Sequence, residues 1–286
     1  MNIAEARAIL FSSIEGGSVF WTCEIDAAGP IEVVKKLRSR GYDPIKYEKT
    51  IARAVAAQSS SVFAAIAASG SVFLTPEDDA WPIQLNDLSA MPFGLVVRGS
   101  VEALQISSLA IVGTRNPTNY GVRVAGDFAA GFVDREWAIV SGGAYGIDAA
   151  AHRGALVAEG VTIAVLAAGI DVNYPAGHAR LFAEIAETGA LVSEVMPGTR
   201  AIPSRFLTRN RLIAALSRST LVVEAAFRSG SLRTARDAAE LMRPVMAIPG
   251  PITSPTSEGC HRLIGERAAE VVTSIADAVE FIGTYK

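Results

Sequence analysis

Lysine is almost missing from this chain of 286 residues: none stands between Lys49 and Lys286. That gap removes a Walker-type phosphate lysine and a Schiff-base lysine from the whole region where chemistry could sit. Cysteine is as scarce. Cys23 and Cys260 lie far apart with no CxxC spacing, which argues against a disulfide framework and a cysteine-held zinc. His152, His178 and His261 are the three histidines, with no HxxxH pair and no cluster of acids at ligand spacing, so neither a metal nor a cofactor is expected. Charged residues amount to only 19%, too few for long disordered stretches. Residues 1–10 carry Glu5 and Arg7 where a signal peptide needs an apolar run, and the longest later apolar run, 161–170, is too short to cross a bilayer. A cytoplasmic protein without membrane contact is the expectation.

Half of the residues are hydrophobic, enough for a large core and, at this length, for two domains or one with an appendage. The first stretch predicts helices over 3–14, 29–40 and 47–68, broken at Gly41-Tyr42-Asp43-Pro44 and weakened at Ser59-Ser60-Ser61. Trp21 and Cys23 are expected in the core of this small helical unit. A turn-rich joint from Leu74 to Pro82 leads to a strand at 95–99. Beyond it, short apolar runs at 109–112, 138–141, 162–166, 190–193, 219–223 and 244–248 alternate with amphipathic helices. One of those helices should bury Val122, Ala125, Phe128, Ala129 and Phe132. Continuous apolar strands separated by helices mean a parallel sheet covered on both faces, a doubly wound α/β fold. Ligands of such sheets bind outside the carboxyl ends of the strands, where Arg115, Gly142, Asp171, the arginines near Arg209 and Ser229-Gly230-Ser231 should converge.

The stretch Ser141-Gly142-Gly143-Ala144-Tyr145-Gly146-Ile147-Asp148 follows a strand and opens an alanine-rich helix. Glycines there admit a phosphate to the backbone, and free amides at the helix start would face it. The pattern is not G-x-G-x-x-G and no acid closes the next strand, so a dinucleotide site is weakly signalled. No G-x-S-x-G occurs for a serine hydrolase. Asp148 and His152 share a helix face, read as a helix-dipole cap and a packed histidine. In Phe206-Leu207-Thr208-Arg209-Asn210-Arg211, Thr208 is expected to cap a helix whose first turn presents two arginine forks to successive phosphates. Net charge is −3, yet residues 200–243 hold nine arginines against Glu224, Asp237 and Glu240, a local excess of six positive charges.

In chain order, Ile111-Val112-Gly113-Thr114-Arg115, Ser141-Gly142-Gly143-Ala144-x-Gly146-Ile147-Asp148-x3-His152, Gly169-x-Asp171-x2-Tyr174-Pro175, Ser193-Glu194, Arg209-Asn210-Arg211, Glu224-Ala225-x3-Ser229-Gly230-Ser231 and Ile248-Pro249-Gly250 together resemble the DNA-processing protein A (DprA, also called Smf) family. The resemblance implies a Rossmann-like core over 72–286 behind a helical, SAM-like domain over 1–71. It further implies a cytoplasmic homodimer with no catalytic activity that binds and protects single-stranded DNA and loads the RecA recombinase in natural transformation. The DNA-binding residues it implies begin with Gly113, Thr114 and Arg115, then Ser141, Gly142, Gly143, Gly146, Asp148 and His152. Tyr174, Arg180, the trio Arg209, Asn210 and Arg211, and the loop Ser229, Gly230 and Ser231 complete them. Family members often carry a lysine after Tyr-Pro; here Ala176-Gly177-His178 stands there and Arg180 is the nearest cation. The winged-helix domain that some members carry is not expected, since the sequence ends at Lys286. The alternative from another class is a nucleotide phosphoribohydrolase using Glu224 or Asp148, although the P-G-G-x-G-T-x-x-E run of such enzymes does not occur.

Overall fold

The structure is a computed structural model and describes residues 1–285. Five helices come first: α1 (Ile3–Ser13), α2 (Val19–Ala28), α3 (Pro30–Arg38), α4 (Glu48–Ala56) and α5 (Ser59–Ala68). Asn2 and Glu5 form a capping box that starts α1, and Pro30 opens α3 where its missing amide costs nothing. The sequence predicted three helices here. It missed α2, which has no side-chain cap and is held instead by Trp21, edge-on to Tyr42 and Tyr47 at 4.9 and 5.1 Å. The predicted long helix over 47–68 divides at Ala57 into α4 and α5. Trp21 is buried as expected, whereas Cys23 is exposed because Trp21, Thr22 and Ile25 take the inward face of α2.

The remaining elements are β1 (Val72–Leu74), β2 (Leu95–Gly99), β3 (Ser108–Val112), α6 (Asn119–Val133), β4 (Ala138–Ser141), α7 (Ile147–Val157), β5 (Thr162–Leu166), α8 (Ala179–Thr188), β6 (Ala190–Ser193), α9 (Pro203–Leu216), β7 (Ser219–Val222), α10 (Ser231–Glu240), β8 (Val245–Ala247), α11 (Glu258–Gly265), β9 (Glu270–Val271) and α12 (Ile275–Thr284). They build one sheet in the order β1-β2-β6-β5-β4-β3-β7-β8-β9. From β6 to β9 every pairing is parallel, while β1 and β2 are antiparallel additions at the edge. The mostly parallel α/β fold is therefore as the sequence predicts.

Alternate residues of the buried strands face opposite layers. Ala110 and Val112 pack with α9, α10 and α11, through Leu212, Leu232 and Leu263. Leu109 and Ile111 pack with α6, α7 and α12. On α6, Ala125, Phe128, Ala129 and Phe132 are buried as expected; Val122 is exposed, and Gly121 is the buried residue of that first turn, against Glu224. The N-terminal helices share a third apolar cluster with Phe93, Val96, Leu166 and the α8 residues Phe182 and Ile185. Phe73 on β1 stitches them together, 5.1 Å from Phe11 and 6.1 Å from Phe63. Among the described residues no single helix is long and apolar enough to cross a membrane.

Candidate functional site

The chain leaves β3 toward β4, β5 and β6 on one side and returns to β7 on the other, so the order of strands reverses between β3 and β7. At such a switch point the two departing loops separate and leave a crevice at the carboxyl ends. The loop after β3 holds Gly113, Thr114 and Arg115; the loop after β7 runs from Glu224 to Ser231. Glu224 ties them together. It is buried and accepts from the Thr118 amide at 2.9 Å, the Thr118 hydroxyl at 2.7 Å and the Thr256 hydroxyl at 3.2 Å, while its carbonyl accepts from the Thr114 amide at 2.6 Å. A side chain at Gly113 would press on Ile147 and on that same carbonyl.

The glycine loop between β4 and α7 is anchored by Ser141, whose hydroxyl donates to the Ile111 carbonyl at 2.6 Å. Its backbone turns through left-handed conformations at Gly143 and Gly146, with φ of +67° and +84°, where glycine carries no Cβ penalty. The amides of Gly142 and Ala144 donate to one oxygen of Asp148, at 3.1 and 3.3 Å, and the first amide of α7 donates to the Thr114 carbonyl at 3.1 Å. Asp148 therefore does not cap α7, whose start at Gly146 has no side-chain cap; it folds back under the loop and holds it. The loop expected to cradle a phosphate already cradles its own carboxylate. Burial pushes the Asp148 carboxyl above its ordinary value, against the pull of Arg209 and the two amides.

Arg209 is 6% exposed and runs beneath this loop, donating from Nη1 to the Val165 carbonyl at 2.6 Å. Its Nε has no partner, and burial lowers the guanidinium to about 10. A Cβ on Gly142 would fall inside that guanidinium, which is the physical need for glycine there. His152 is buried one turn after Asp148, without a hydrogen bond to it. Its Nδ1 lies 2.7 Å from the Thr162 hydroxyl, which itself donates to the Ile139 carbonyl, so Nδ1 carries the proton and donates. Nε2 is left without a partner, and burial lowers the imidazole to about 3. His178 donates to the Gly143 carbonyl at 2.9 Å and meets the Tyr145 ring edge-on, fixing the far side of the loop.

Thr208 does not cap a helix. α9 begins at Pro203, so Arg209, Asn210 and Arg211 lie in its middle and their backbone amides are already bonded. Arg211 is not a free fork either: it pairs with Glu194 at 2.5 Å, with side chains only 12% and 8% exposed. Asn210 donates to the Gly230 carbonyl at 3.1 Å and so positions the Ser229-Gly230-Ser231 loop. The excess of six positive charges shrinks in the fold. Arg205 pairs with Glu15, Arg211 with Glu194, Arg233 with Asp237 and Arg243 with Asp87, and three of those acids come from outside the counted stretch.

What remains is concentrated. The switch-point crevice, a cavity of about 400 Å³, is lined by Arg115, Arg209 and Arg228 together with Asn210, Ser229, Gly230 and Ser231. Beside it lies a smaller pocket walled by Tyr145, Tyr174, Pro175 and Phe206, and the two share Arg115, Ala144 and Phe206. Arg115 lies over the Phe206 ring at 5.2 Å, and Tyr174 tilts against the same ring at 5.4 Å. Arg180 and Asp171 stand apart from both cavities. Arg180 is exposed and pairs with Glu184, and Asp171 accepts from the Gly198 amide at 2.7 Å to hold a neighbouring turn. Arg228 was not singled out by sequence; its signal was a cation one residue before Ser229-Gly230-Ser231 at a strand's carboxyl end. Among the described residues no group of three His, Cys, Asp or Glu side chains is placed to hold a metal ion.

The family model described as DNA recombination-mediator protein A matches residues 72–283. A putative DNA processing protein DprA from Mycobacterium tuberculosis is 42% identical over 272 residues, which cover 91% of this chain and 70% of that protein. DNA processing protein DprA from Streptococcus pneumoniae is 41% identical over 202 residues, 71% of each chain. The X-ray structure of the S. pneumoniae protein matches with a TM-score of 0.84 at 31% identity, over 98% of both chains. A structure of DNA processing protein A from Helicobacter pylori, described for its single-stranded DNA binding mode, gives a TM-score of 0.67 at 31% identity over 76% of this chain and 96% of that one.

Proposed function

This chain belongs to the DNA recombination-mediator protein A family, whose role lies in DNA processing and recombination, and from that premise we propose that its strand-end rim binds single-stranded DNA without reading sequence. The observation that carries the proposal is the pairing of two cavities across Arg115. An arginine- and hydroxyl-lined crevice stands beside an aromatic-walled pocket, the juxtaposition that a phosphate and its base require. Phosphate contacts by arginine give affinity that is independent of sequence, and exposed Tyr145 and Tyr174 offer rings on which any base can stack. The H. pylori relative is described as a single-stranded DNA binder, which supports the same assignment here.

The proposal extends, on the family resemblance, to protection of the incoming strand and loading of RecA by a cytoplasmic homodimer that does no chemistry. In favour of binding over hydrolysis, both oxygens of the buried Glu224 carboxylate are taken by protein donors, and Asp148 spends one oxygen on two amides of the glycine loop. Fluorescence anisotropy of a labelled oligothymidylate over a salt series tests the core of it. The expected result is binding that weakens steeply with salt, and for Arg115→Ala a log–log slope shallower by about 0.7, one single-strand phosphate. No binding at low salt would sink the proposal. For RecA, the lag before filament growth on the same strand should shorten when the protein is added, and an unchanged lag would remove that part.

A further inference from the structure

We propose that the crevice between β3 and β7 receives a terminal phosphate monoester of a nucleotide in preference to the diester links along a strand; this rests on, and sharpens, the single-strand assignment of the same rim. Arg115, Arg209 and Arg228 line the crevice with a single carboxylate, Asp148, a formal excess of two positive charges. A monoester carries about −1.5 to −2 near neutral pH, whereas a diester carries a single charge. The match is to the dianion.

The hydroxyls of Ser229 and Ser231 stand on the same rim, 2.7 Å apart and sharing one hydrogen bond, which leaves one hydroxyl proton for a ligand, while Ser229 Oγ also accepts from the Ser231 amide at 3.3 Å. Arg209 supplies the second, independent sign of a ligand: it lines the crevice, is more than nine-tenths buried, and keeps an Nε–H with no partner. A native protein seldom leaves such a donor unpaired in its interior. Val112 and Ile213 are buried apolar side chains that line the same crevice and offer nothing polar to a strand passing onward. A terminal phosphate needs one covalent exit, and the aromatic pocket that shares Arg115 lies where the attached nucleoside would stack.

The test compares the full chain's affinity for one oligothymidylate in four forms: 5′-phosphorylated, 3′-phosphorylated, hydroxyl at both ends, and covalently circular. Free deoxythymidine 5′-monophosphate is the fifth probe. At least one phosphorylated end should bind about tenfold tighter than the hydroxyl-ended and circular strands, the worth of one added charge-assisted contact. Arg228→Ala, an exposed side chain with no ion pair among the described residues, should erase that preference. Equal affinity for all four forms overturns the proposal and leaves strand binding standing, and a preference that survives Arg228→Ala overturns its assignment to this crevice. Binding of the monophosphate without any oligonucleotide supports the phosphate receptor and overturns the strand assignment. Binding of no probe overturns both.

Discussion

Acid should destabilise this protein through His152 before most of its carboxylates begin to protonate. The imidazole has an ordinary value of 6.5 and is lowered to about 3 in the fold, by burial first and then by the charges of His178 and Arg209. Its Nδ1–H is committed to Thr162, so a second proton would have to sit on Nε2, which has no acceptor within reach. Because the folded value is depressed, the stability that neutral His152 contributes is complete above 6.5 and is lost as pH falls toward 3. At about pH 5 the unfolded chain carries this proton and the folded chain does not, a loss of about 2 kcal/mol; the loss levels off near 5 kcal/mol below about pH 3. Against a total stability of roughly 5–15 kcal/mol that is a large fraction. The assay is urea unfolding of wild type and His152→Gln at about pH 7.5 and about pH 5. Glutamine does not titrate, so whatever the variant loses through packing cancels when each protein is compared with itself across pH. The wild type should lose about 2 kcal/mol more than the variant between the two conditions. Equal losses would show that His152 is not held neutral in the fold.

Gly142→Ala places a methyl group in the Arg209 guanidinium, so the loop or the arginine must move; unfolding free energy should drop by about 1–3 kcal/mol, and no change would mean that Arg209 does not lie against the loop. Arg211→Ala leaves Glu194 buried without its partner and should cost about 3–5 kcal/mol, while Glu194→Leu with Arg211→Met should recover most of it. A thermal unfolding series checks both, and a double variant as weak as the single one would refute the pairing.

The parallel strands were legible because a strand covered on both faces must be apolar throughout, as Thr162–Leu166 and Ala138–Ser141 are. Breaks between them were legible for the complementary reason: glycine clusters mark where the backbone turns. The ends of the sheet were not. β9 is two exposed residues, Glu270 and Val271, with no pattern to read, and α2 exists because Trp21 meets Tyr42 and Tyr47, 21 and 26 residues further along the chain, rather than because of a local signal. In the site, Arg115, Arg209 and Ser229-Gly230-Ser231 were legible by type while Arg228 was not, and the partners of the arginines were hidden. Glu194 neutralises Arg211 from another element 17 residues away, and Glu15 reaches Arg205 from 190 residues away. Net charge over a stretch counts neighbours in sequence, while neutralisation happens between neighbours in space.

The helical period resolves why Arg209 and Arg211, separated by one residue, have different tasks. Two steps along an α-helix turn about 200°, so neighbours of that spacing point to nearly opposite sides. Phe206, Arg209, Asn210 and Ile213 recur at the three- and four-residue spacing of one face, and all four line the switch-point crevice. Arg205, Thr208 and Arg211 fall on the other side of α9. There Arg205 pairs with Glu15 at 2.8 Å, Arg211 pairs with Glu194, and a side chain at Gly17 would strike Thr208. The turn between α1 and α2 therefore rests on the back of the helix whose front carries the rim. Phe206 lines both the aromatic pocket and the switch-point crevice and Arg209 lines the crevice from the same face, so one helix walls both cavities and carries the N-terminal contact on its back.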